Sequence, residues 1–290
     1  MQRRAVFAGV ARDCAAHLPG VLANLERLSA LYDEVAFCFV ENDSKDNTAS
    51  QLFEWGRNRR EFYLFNLDGL GLGRLGVRTL RLEYARNLYL SFVRSHPYFD
   101  GFDQLVVIDM DDAGGYPIDP GRFEAAQSLL DCDTRLAGVF ANQIGTYYDL
   151  WALREPGWCP DDIWLTMAIA TLESDVSDEL AYERHFVPRI RSIDPSSAPI
   201  EVDSAFGGLG IYRLSAIRTS AANYHGAQMR AFTTQSGKIA VVRMQQCEHV
   251  ALNLGLRAAG HRLCIVPGLL NRVFSANVRF PAGAFRQLIF

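Results

Sequence analysis

The chain has 290 residues, of which 49% are hydrophobic and 21% are charged, a composition typical of a globular protein and not of a disordered one. Its formal net charge of −4 excludes the global basic field that attracts nucleic acids or anionic lipids without specificity. The six cysteines form no CxxC pair or zinc-binding spacing, and no apolar run approaches the roughly 20 residues of a membrane-spanning helix, so a cytoplasmic protein is expected.

The first part of the chain alternates between two hydrophobic patterns. Short continuous apolar runs predict buried strands, and leucines that recur at helical spacing predict helices between them. Because strands and helices follow one another in turn, the sequence predicts an α/β fold with a mostly parallel central sheet and helices on both faces. Strands are expected at 4–10, 34–40, 61–67 and 104–109, and helices at 17–31, 48–57 and 79–95.

The second part of the chain is less regular. Residues 136–142 predict a strand, residues 150–200 a mixture of helix and loop, and residues 200–214 strand-like runs around a glycine pair. A helix is expected to begin near Cys247, and a last strand follows it at 262–268. Since no linker or internal repeat interrupts the pattern, the sequence predicts one domain.

An acidic motif, DMDD at residues 109–112, closes the expected strand at 104–109. Carboxylates this close repel one another, and a cation holds them together best, so aspartates two residues apart at a strand end can share a hard metal ion. The alternative is a solvated acidic turn. The buried strand before the motif favours the metal site, as do Gly114 and Gly115 after it, which let the backbone bend round a ligand.

A polar segment, ENDSKDNT at residues 41–48, closes the second expected strand. Its acidic residues Glu41 and Asp43 can accept hydrogen bonds from ribose hydroxyls or from the edge of a base. The same composition suits a helix cap within 46–48, and the two roles are compatible because they use different residues. Ligands of open α/β sheets bind outside the carboxyl ends of the strands, so both polar segments are expected at one crevice.

These two segments resemble motifs of the GT-A glycosyltransferases. ENDSKDNT is similar to the turn after the second strand of that family, and VIDMDD is similar to its DxD motif with a trailing aspartate. The resemblance implies a nucleotide-sugar donor held with Mn2+ or Mg2+. It assigns the metal to Asp111, places Asp109 near the ribose or donor sugar with a share in the metal, and lets Asp112 assist either.

The helix between the two motifs carries a third resemblance. Its sequence RLEYARN resembles the R-x3-A-R-N stretch of GT-A enzymes, in which a basic residue and an asparagine approach the donor. The resemblance implies donor contacts for Arg78, Arg86 and Asn87, with Arg86 pairing a phosphate through its planar guanidinium. Arg78, Arg81 and Arg86 are not all expected to face one helical stripe, because intervals of three and five residues rotate by different angles. The alternative is a surface helix with exposed arginines.

A fourth segment, CEHVALNLGLRAAG at 247–260, resembles the late E-D-x-x-L-x-x-R-x-x-G segment of the family. There, a carboxylate at its start removes the proton of the acceptor hydroxyl in inverting members. The usual pair reads Glu248-His249 here, so either residue can be the base, and His249 can instead be a further metal ligand. The alternative is a charged pair that opens an amphipathic helix. This departure leaves open whether the enzyme inverts or retains.

A fifth segment, around Gly207 and Gly208, resembles the F-G-G-x-x-I-Y-R stretch of several GT-A families. The resemblance implies that these glycines let the backbone pass close to the donor sugar, with Asp203 and Phe206 as secondary contacts. The order of these motifs along the chain also suggests two functional halves within the single domain.

In this division, residues 1–290 comprise a nucleotide-sugar-binding half of about 1–115 and an acceptor-side half of about 116–290. The donor is expected to be UDP- or GDP-linked. The acceptor stays open among a modified DNA base, a polysaccharide, a lipid and a protein.

Three other functions compete with glycosyl transfer. The sequence GLGRLG at 71–76 fits the GxGxxG pattern of an NAD(P)-dependent oxidoreductase, although it follows the third expected strand and lacks the acidic residue expected about twenty positions further on. A metal-dependent nucleotidyltransferase can use the DMDD motif equally well. A non-catalytic sugar-binding or scaffold protein is disfavoured by the intact acidic cluster and Glu248.

Overall fold

A computed structural model of the chain describes residues 2–72, 75–173, 176–233 and 237–272. Most of its strands belong to one eight-stranded sheet, and two form a separate hairpin. The strands are β1 Arg4–Ala11, β2 Glu34–Asn42, β3 Phe62–Leu67, β4 Gln104–Ile108, β5 Leu136–Gln143, β6 Ile200–Val202, β7 Leu209–Arg213, β8 Ala227–Thr233, β9 Ile239–Gln245 and β10 Arg262–Asn271.

Helices connect most of these strands. The helices are α1 Leu18–Ser29, α2 Thr48–Gly56, α3 Arg78–Ser95, α4 Asp112–Gly115, α5 Pro120–Cys132, α6 Ile163–Glu173, α7 Asp178–Ala181, α8 Leu214–Thr219 and α9 Glu248–Ala258. Short 3-10 turns lie at Pro97–Phe99 and Val187–Arg189, and a π-helical turn lies at Tyr182–Phe186. In the described part of the chain, no helix is both long and apolar enough to cross a membrane.

The main sheet has the strand order β3-β2-β1-β4-β7-β5-β10-β6. β1 pairs in parallel with β2 and β4, β2 with β3, and β5 with β10, whereas β7 and β6 run antiparallel to their neighbours. The α/β fold with a mostly parallel sheet is therefore confirmed. Its strands come from both sides of residue 115, and the division into two functional halves stays a prediction.

Two hydrophobic cores lie on opposite faces of this sheet. One contains the buried faces of α1 and α5 together with Phe7 and Phe37 of the strands. The other contains the buried side of α3, with α8 and α9, against Val6 and Cys38. Neighbouring strand residues therefore point to opposite cores, as the pleat requires. The continuous apolar runs of the sequence have this cause, since the central strands are covered on both faces.

Several elements, among them α4, α5, α8 and the β8–β9 hairpin, were not expected from the sequence, although α5 carries a recognisable signal. α5 begins where Asp119 caps it, accepting a hydrogen bond from the Arg122 backbone N–H at 2.8 Å, and Pro120 occupies its first position. An aspartate followed by proline is a favoured start of a helix. The β8–β9 hairpin has no comparable signal, because its strands pair only with each other.

Candidate active site

The carboxyl ends of β1, β2 and β4 meet at one edge of the sheet. Ala11 lies opposite Glu41 across β1 and β2, and Ala8 lies opposite Val107 across β1 and β4. The segments that follow these strands therefore converge, as expected for a ligand crevice in an open α/β sheet. Two adjoining cavities open there, of about 250 Å³ and about 260 Å³.

The two cavities share one wall and differ in charge. The first, here named the basic cavity, adds Arg12, Arg81, Asp13 and Asn42 to that wall. The second, the acidic cavity, adds Asp112, Asp149, Glu248 and His249, with aromatic rings from Tyr148, Trp151 and Phe206. The shared wall consists of Arg78, Leu82, Arg86, Asp109 and Asp111.

Arg86 joins the two carboxylates that stand on either side of it. Its Nη2 lies 3.2 Å from Oδ1 of Asp109, and its Nε lies 2.8 Å from Oε1 of Glu248. The arginine is 3% exposed, so both ion pairs lie in a medium that screens charge poorly. The rings of Phe206 and Tyr224 lie within cation–π distance of the same guanidinium. Arg86 therefore holds α3, β4 and α9 together at the site.

The aspartates of the DMDD motif are under electrostatic stress. Burial, with repulsion from Asp111, raises the pKa of Asp109 to about 7, although Arg86 opposes the shift. Burial also raises the pKa of Asp111, with Asp112 acting in the same direction and the Ala113 backbone N–H against it. Asp111 additionally caps α4 by accepting that N–H at 3.1 Å. An added cation would relieve both carboxylates.

Asp109 and Asp111 suit a hard divalent cation that binds together with a phosphate-bearing substrate. Within the described residues, no group of three or more His, Cys, Asp or Glu side chains forms a complete metal cage. Mg2+ in phosphate-binding sites is commonly held by one or two carboxylates, with substrate phosphates and waters filling the remaining positions. Asp109 and Asp111 match that requirement, because burial, together with repulsion from neighbouring carboxylates, raises their pKa values and a bound cation would favour their ionised forms.

Several guanidinium groups line the basic cavity, from Arg12 after β1 and from Arg78, Arg81 and Arg86 of α3. Burial lowers the pKa of Arg81, and the neighbouring Arg12 and Arg78 lower it further by repulsion. An anion with several oxygens, such as a diphosphate, would relieve this repulsion. Arg81 lines this cavity together with Arg78 and Arg86. The cavity admits a wider arc of the helix than a single stripe.

The polar segment at the end of β2 lines the basic cavity through Asn42, which was not predicted as a donor contact. Asn42 lines it, whereas Glu41 and Asp43 do not. Glu41 is buried and accepts the Ser44 backbone N–H at 2.9 Å. Asp43 adopts a positive φ of 53° and accepts the backbone N–H groups of Gly69 and Gly71. Both predicted donor contacts thus hold loops in place, because short acidic side chains at a strand end satisfy nearby backbone donors first.

Asn87 also lies away from both cavities. Its Nδ2 donates to the Tyr224 carbonyl at 2.9 Å, and its Oδ1 accepts the Tyr224 backbone N–H at 3.0 Å. The amide is therefore used to fix the segment that precedes β8. The predicted donor contact of Asn87 is corrected to a structural role, since adjacent residues of a helix face different directions.

Glu248 and His249 open α9 and line the acidic cavity. The imidazole stacks on Phe206 with ring centres 3.7 Å apart, and Nε2 lies 3.7 Å from Oε1 of Glu248. Burial, aided by Arg86, holds the pKa of His249 well below its usual range, so the ring is neutral. Among the described residues, neither ring nitrogen has a hydrogen-bond partner. Such buried orphan atoms await a ligand or a water.

Gly207 and Gly208 form a tight backbone turn that packs beside Asp109. Gly207 and Gly208 adopt positive φ angles of 65° and 81°, and the Gly208 carbonyl accepts the Asp109 backbone N–H at 2.9 Å. A Cβ at Gly208 would crowd Asn271 and Ala113. The glycines thus permit a close approach of backbone to the acidic motif, and their predicted contact with the donor sugar stays a prediction.

Asp149 is a site residue that the sequence did not reveal. It lines the acidic cavity, accepts the Gly207 backbone N–H at 2.8 Å, and has its pKa raised by burial. It lies in an irregular loop without hydrophobic periodicity, so no local signal marks it. Arg12 and Asp13 were missed for another reason. They directly follow β1, and the rule that ligands bind at strand ends would have found them.

No protein-family model matches the sequence, and no curated protein matches it. Solved structures do match. The mannosyltransferase PcManGT from Pyrobaculum calidifontis, solved with GDP-Man and Mn2+, is similar over 99% of this chain and 60% of its own, with 13% identity and a TM-score of 0.52. TarS 1–349 of S. aureus is similar over 93% of this chain and 59% of its own, with 11% identity and a TM-score of 0.48.

Glucosyl-3-phosphoglycerate synthase from Mycobacterium tuberculosis, solved with Mg2+ and UDP, is similar over 99% of this chain and 76% of its own, with 14% identity and a TM-score of 0.44. The chain spans about 60% of the length of PcManGT and TarS. At these identities the likeness concerns the fold alone. The chain therefore has the fold of the GT-A glycosyltransferases.

Proposed function

We propose that this protein is a metal-dependent glycosyltransferase that moves a sugar from a nucleoside-diphosphate sugar to an acceptor hydroxyl. The observation that carries the proposal is the wall of Arg78, Arg86, Asp109 and Asp111 between a basic and an acidic cavity. A nucleotide sugar has the same division, with an anionic diphosphate on one side of the scissile bond and an uncharged polyol on the other.

The basic cavity is the proposed site of the diphosphate. Arg12, Arg78 and Arg81 supply charge that several phosphate oxygens can share. Asp109 and Asp111 would hold Mn2+ or Mg2+ at the shared wall, and the metal when bound would offset the charge of the departing nucleoside diphosphate. Arg86 would add fixed positive charge beside the same leaving group. PcManGT, whose fold is similar, was solved with GDP-Man and Mn2+, which supports a nucleotide-diphosphate donor.

The acidic cavity is the proposed site of the transferred sugar and the acceptor. Glu248, His249 and Asp149 line it and offer hydrogen-bond acceptors for hydroxyl groups. His249 is neutral and has unpartnered nitrogens, so it can accept the acceptor's proton. Glu248 is bound to Arg86 through Oε1, which leaves it the second candidate for the base. A metal contact for His249 stays a prediction.

The competing functions have weaker support. The GLGRLG loop follows β3, which is an edge strand two positions away from β1 in the sheet, whereas a dinucleotide site is expected where the strand order reverses. Gly73 and Arg74 of that loop lie outside the described residues. A nucleotidyltransferase would use the same carboxylates, but the polar and aromatic acidic cavity gives an acceptor hydroxyl a place of its own.

The experiment that tests the proposal is a thermal-shift panel of UDP-, GDP- and other nucleotide sugars, with and without Mn2+. A ligand present at about 100 times its Kd stabilises the native state by about 2.7 kcal/mol, which raises Tm by several degrees. We expect at least one nucleotide sugar to raise Tm with Mn2+, and Asp111→Ala to abolish that rise. Pyrophosphate release from a nucleoside triphosphate, or metal-independent stabilisation by a nicotinamide dinucleotide, would refute glycosyl transfer.

A further inference from the structure

The β8–β9 hairpin lies outside the main sheet and carries apolar residues on both faces. On one face Met244 is fully buried and Val242 packs against the core. The opposite face contains Met229, Val241 and Ile239, whose exposed fractions are 64%, 60% and 76%. A sheet with one face in water normally keeps apolar residues on the covered face only. The exposed face of this hairpin therefore needs another explanation.

The exposed residues form one continuous face. Met229 pairs with Arg243 across the two strands, and Ala231 pairs with Val241. Side chains directly opposite one another in an antiparallel pair lie on the same side of the sheet. We name this face, with Ile239, the hairpin face. Contiguous apolar surface of this kind marks sites of interaction with proteins or membranes.

A groove continues the hairpin face onto α3. It has a volume of about 880 Å³, and Arg243 belongs both to its lining and to the hairpin face. The carboxylate of Glu83, which also lines it, accepts the Gly226 backbone N–H at 2.8 Å and so holds the base of the hairpin. The apolar lining of the groove comes from Leu75, Leu80, Tyr84 and Leu88.

The hairpin differs in charge from the rest of the chain. Residues 227–245 contain Arg230, Lys238 and Arg243 and no acidic residue, whereas the whole chain has 33 acidic residues against 29 lysines and arginines. Arg243 lies on the hairpin face opposite Met229, and Arg230 lies on the other face opposite Val242. Apolar side chains bordered by basic ones are suited to the surface of an anionic bilayer, where the former enter the headgroup boundary and the latter meet phosphates. A symmetric dimer through this face would bring like charges together.

The hairpin is fixed close to the acidic cavity. Nε2 of Gln228 donates to Oδ2 of Asp162 at 2.9 Å, and Thr79 at the start of α3 donates to Gln245 at 3.2 Å. β9 ends at Gln245, three positions before Glu248. Surface contact through the hairpin would therefore bring the acidic cavity near the same membrane.

We propose that the hairpin face and its groove dock peripherally on an anionic lipid surface. The proposal is independent of glycosyl transfer, since it rests on the exposure and charge of β8–β9. It would give the acidic cavity access to substrates at the bilayer surface.

Co-sedimentation with vesicles tests this docking. The full chain should pellet with vesicles of phosphatidylcholine and phosphatidylglycerol, less with phosphatidylcholine alone, and less as salt rises. The double substitution Ile239→Ser with Val241→Ser should lower the partition coefficient at least about tenfold, given the apolar area removed. Arg243→Gln, which removes an exposed basic residue of the hairpin face, should lower it about fivefold on the anionic vesicles only.

A matched control lies on the opposite side of the molecule. Phe53 of α2 is 56% exposed, and its helix packs on the other hydrophobic core through Leu52, so Phe53→Ser should leave vesicle binding unchanged. All variants should unfold at the wild-type Tm, because the replaced side chains are exposed. Wild-type protein that does not pellet with anionic vesicles, or a double variant that pellets like wild type, would overturn the proposal. So would a dimer in sedimentation velocity that the double substitution dissociates.

Discussion

The basic and acidic cavities meet at one wall but are built differently. The basic cavity draws on β1, β2, α3 and β4, whose relevant residues lie at or just after a strand end or in the first half of a helix. The acidic cavity combines the same wall with residues 148–151, Phe206 and residues 247–249, which lie far apart in the chain. The charge that suits phosphate therefore comes from regular elements, and the groups that suit an acceptor come from loops brought together by the sheet.

This difference identifies Arg86 as the residue on which both cavities depend. Arg86 pairs with Asp109 on the side of β4 and with Glu248 on the side of α9. Changes at the shared wall should affect both cavities, whereas changes beyond it should affect only one. The predictions below use this contrast.

Arg86→Met should have the largest effect, because it leaves two buried carboxylates without their cation. Breaking a buried ion pair by removing one partner costs about 3–5 kcal/mol. We expect a decrease of that size in the free energy of unfolding, measured by urea denaturation. Arg81→Gln is the control, since Arg81 lies in the same helix but outside this pair of salt bridges, and should cost less than about 1 kcal/mol. Equal effects would contradict the bridging role of Arg86.

Asp111→Asn should leave folding intact and reduce activity. Loss of a metal carboxylate is expected to remove about 3 kcal/mol of transition-state stabilisation, which lowers kcat/KM about 100-fold. Nucleoside diphosphate release from the donor found in the thermal-shift panel measures it. Asp131→Asn, on a partly exposed residue that pairs with Arg3, is the matched control and should retain wild-type kcat/KM. Wild-type kcat/KM in Asp111→Asn would show that Asp111 does not hold a metal ion needed for activity.

Gly208→Ala should distort the backbone contact between Gly208 and Asp109. Its φ of 81° disfavours a side chain, and the added Cβ would crowd Asn271 and Ala113. We expect a loss of about 1–3 kcal/mol in unfolding free energy. Gly260→Ala separates the two causes, because Gly260 has a φ of 88° with no described heavy atom within 4 Å of the added Cβ. If both variants lose equal stability, backbone strain alone is responsible and the packing against the site contributes nothing.

Arg81→Gln and Asp149→Asn should separate the two cavities kinetically. Loss of a phosphate contact is expected to cost about 1.4 kcal/mol and to raise the donor KM about tenfold, with little change in kcat. Asp149 lies only in the acidic cavity, so its substitution should lower kcat or raise the acceptor KM while the donor KM stays constant. A raised donor KM in Asp149→Asn would show that the two cavities bind one ligand group.

The free energy of unfolding should depend on pH through Asp109 of the shared wall. The pKa of Asp109 is about 7 in the folded metal-free protein, against about 3.9 in an unfolded chain. Folded protein therefore holds this proton more tightly, and stability relative to Asp109→Asn falls as pH rises from about 4 to about 7. Thermal scans between pH 5 and 8 measure the difference. Mn2+ with nucleoside diphosphate should reverse the trend, since the metal needs the ionised carboxylate; a flat profile would contradict the raised pKa.

The sequence alone determined the part of the fold whose signals are local. Apolar runs and helical periodicity predicted β1 to β4 and the helices between them, because each such element carries its own burial pattern. The DMDD motif could be chosen from the apolar strand before it, since a strand end is visible in a few letters, and Glu248 from the resemblance of its segment to a GT-A motif.

Tertiary structure decided what depends on contacts across the chain. Glu41, Asp43 and Asn87 have the residue types of ligand contacts, but nearby backbone groups take their hydrogen bonds. Asp149 enters the site because an irregular loop is held over the glycine pair, and Arg86 is buried between two carboxylates distant in sequence. Residue type determines which bonds a side chain can make, whereas the packing of the sheet and helices determines which partners are within reach.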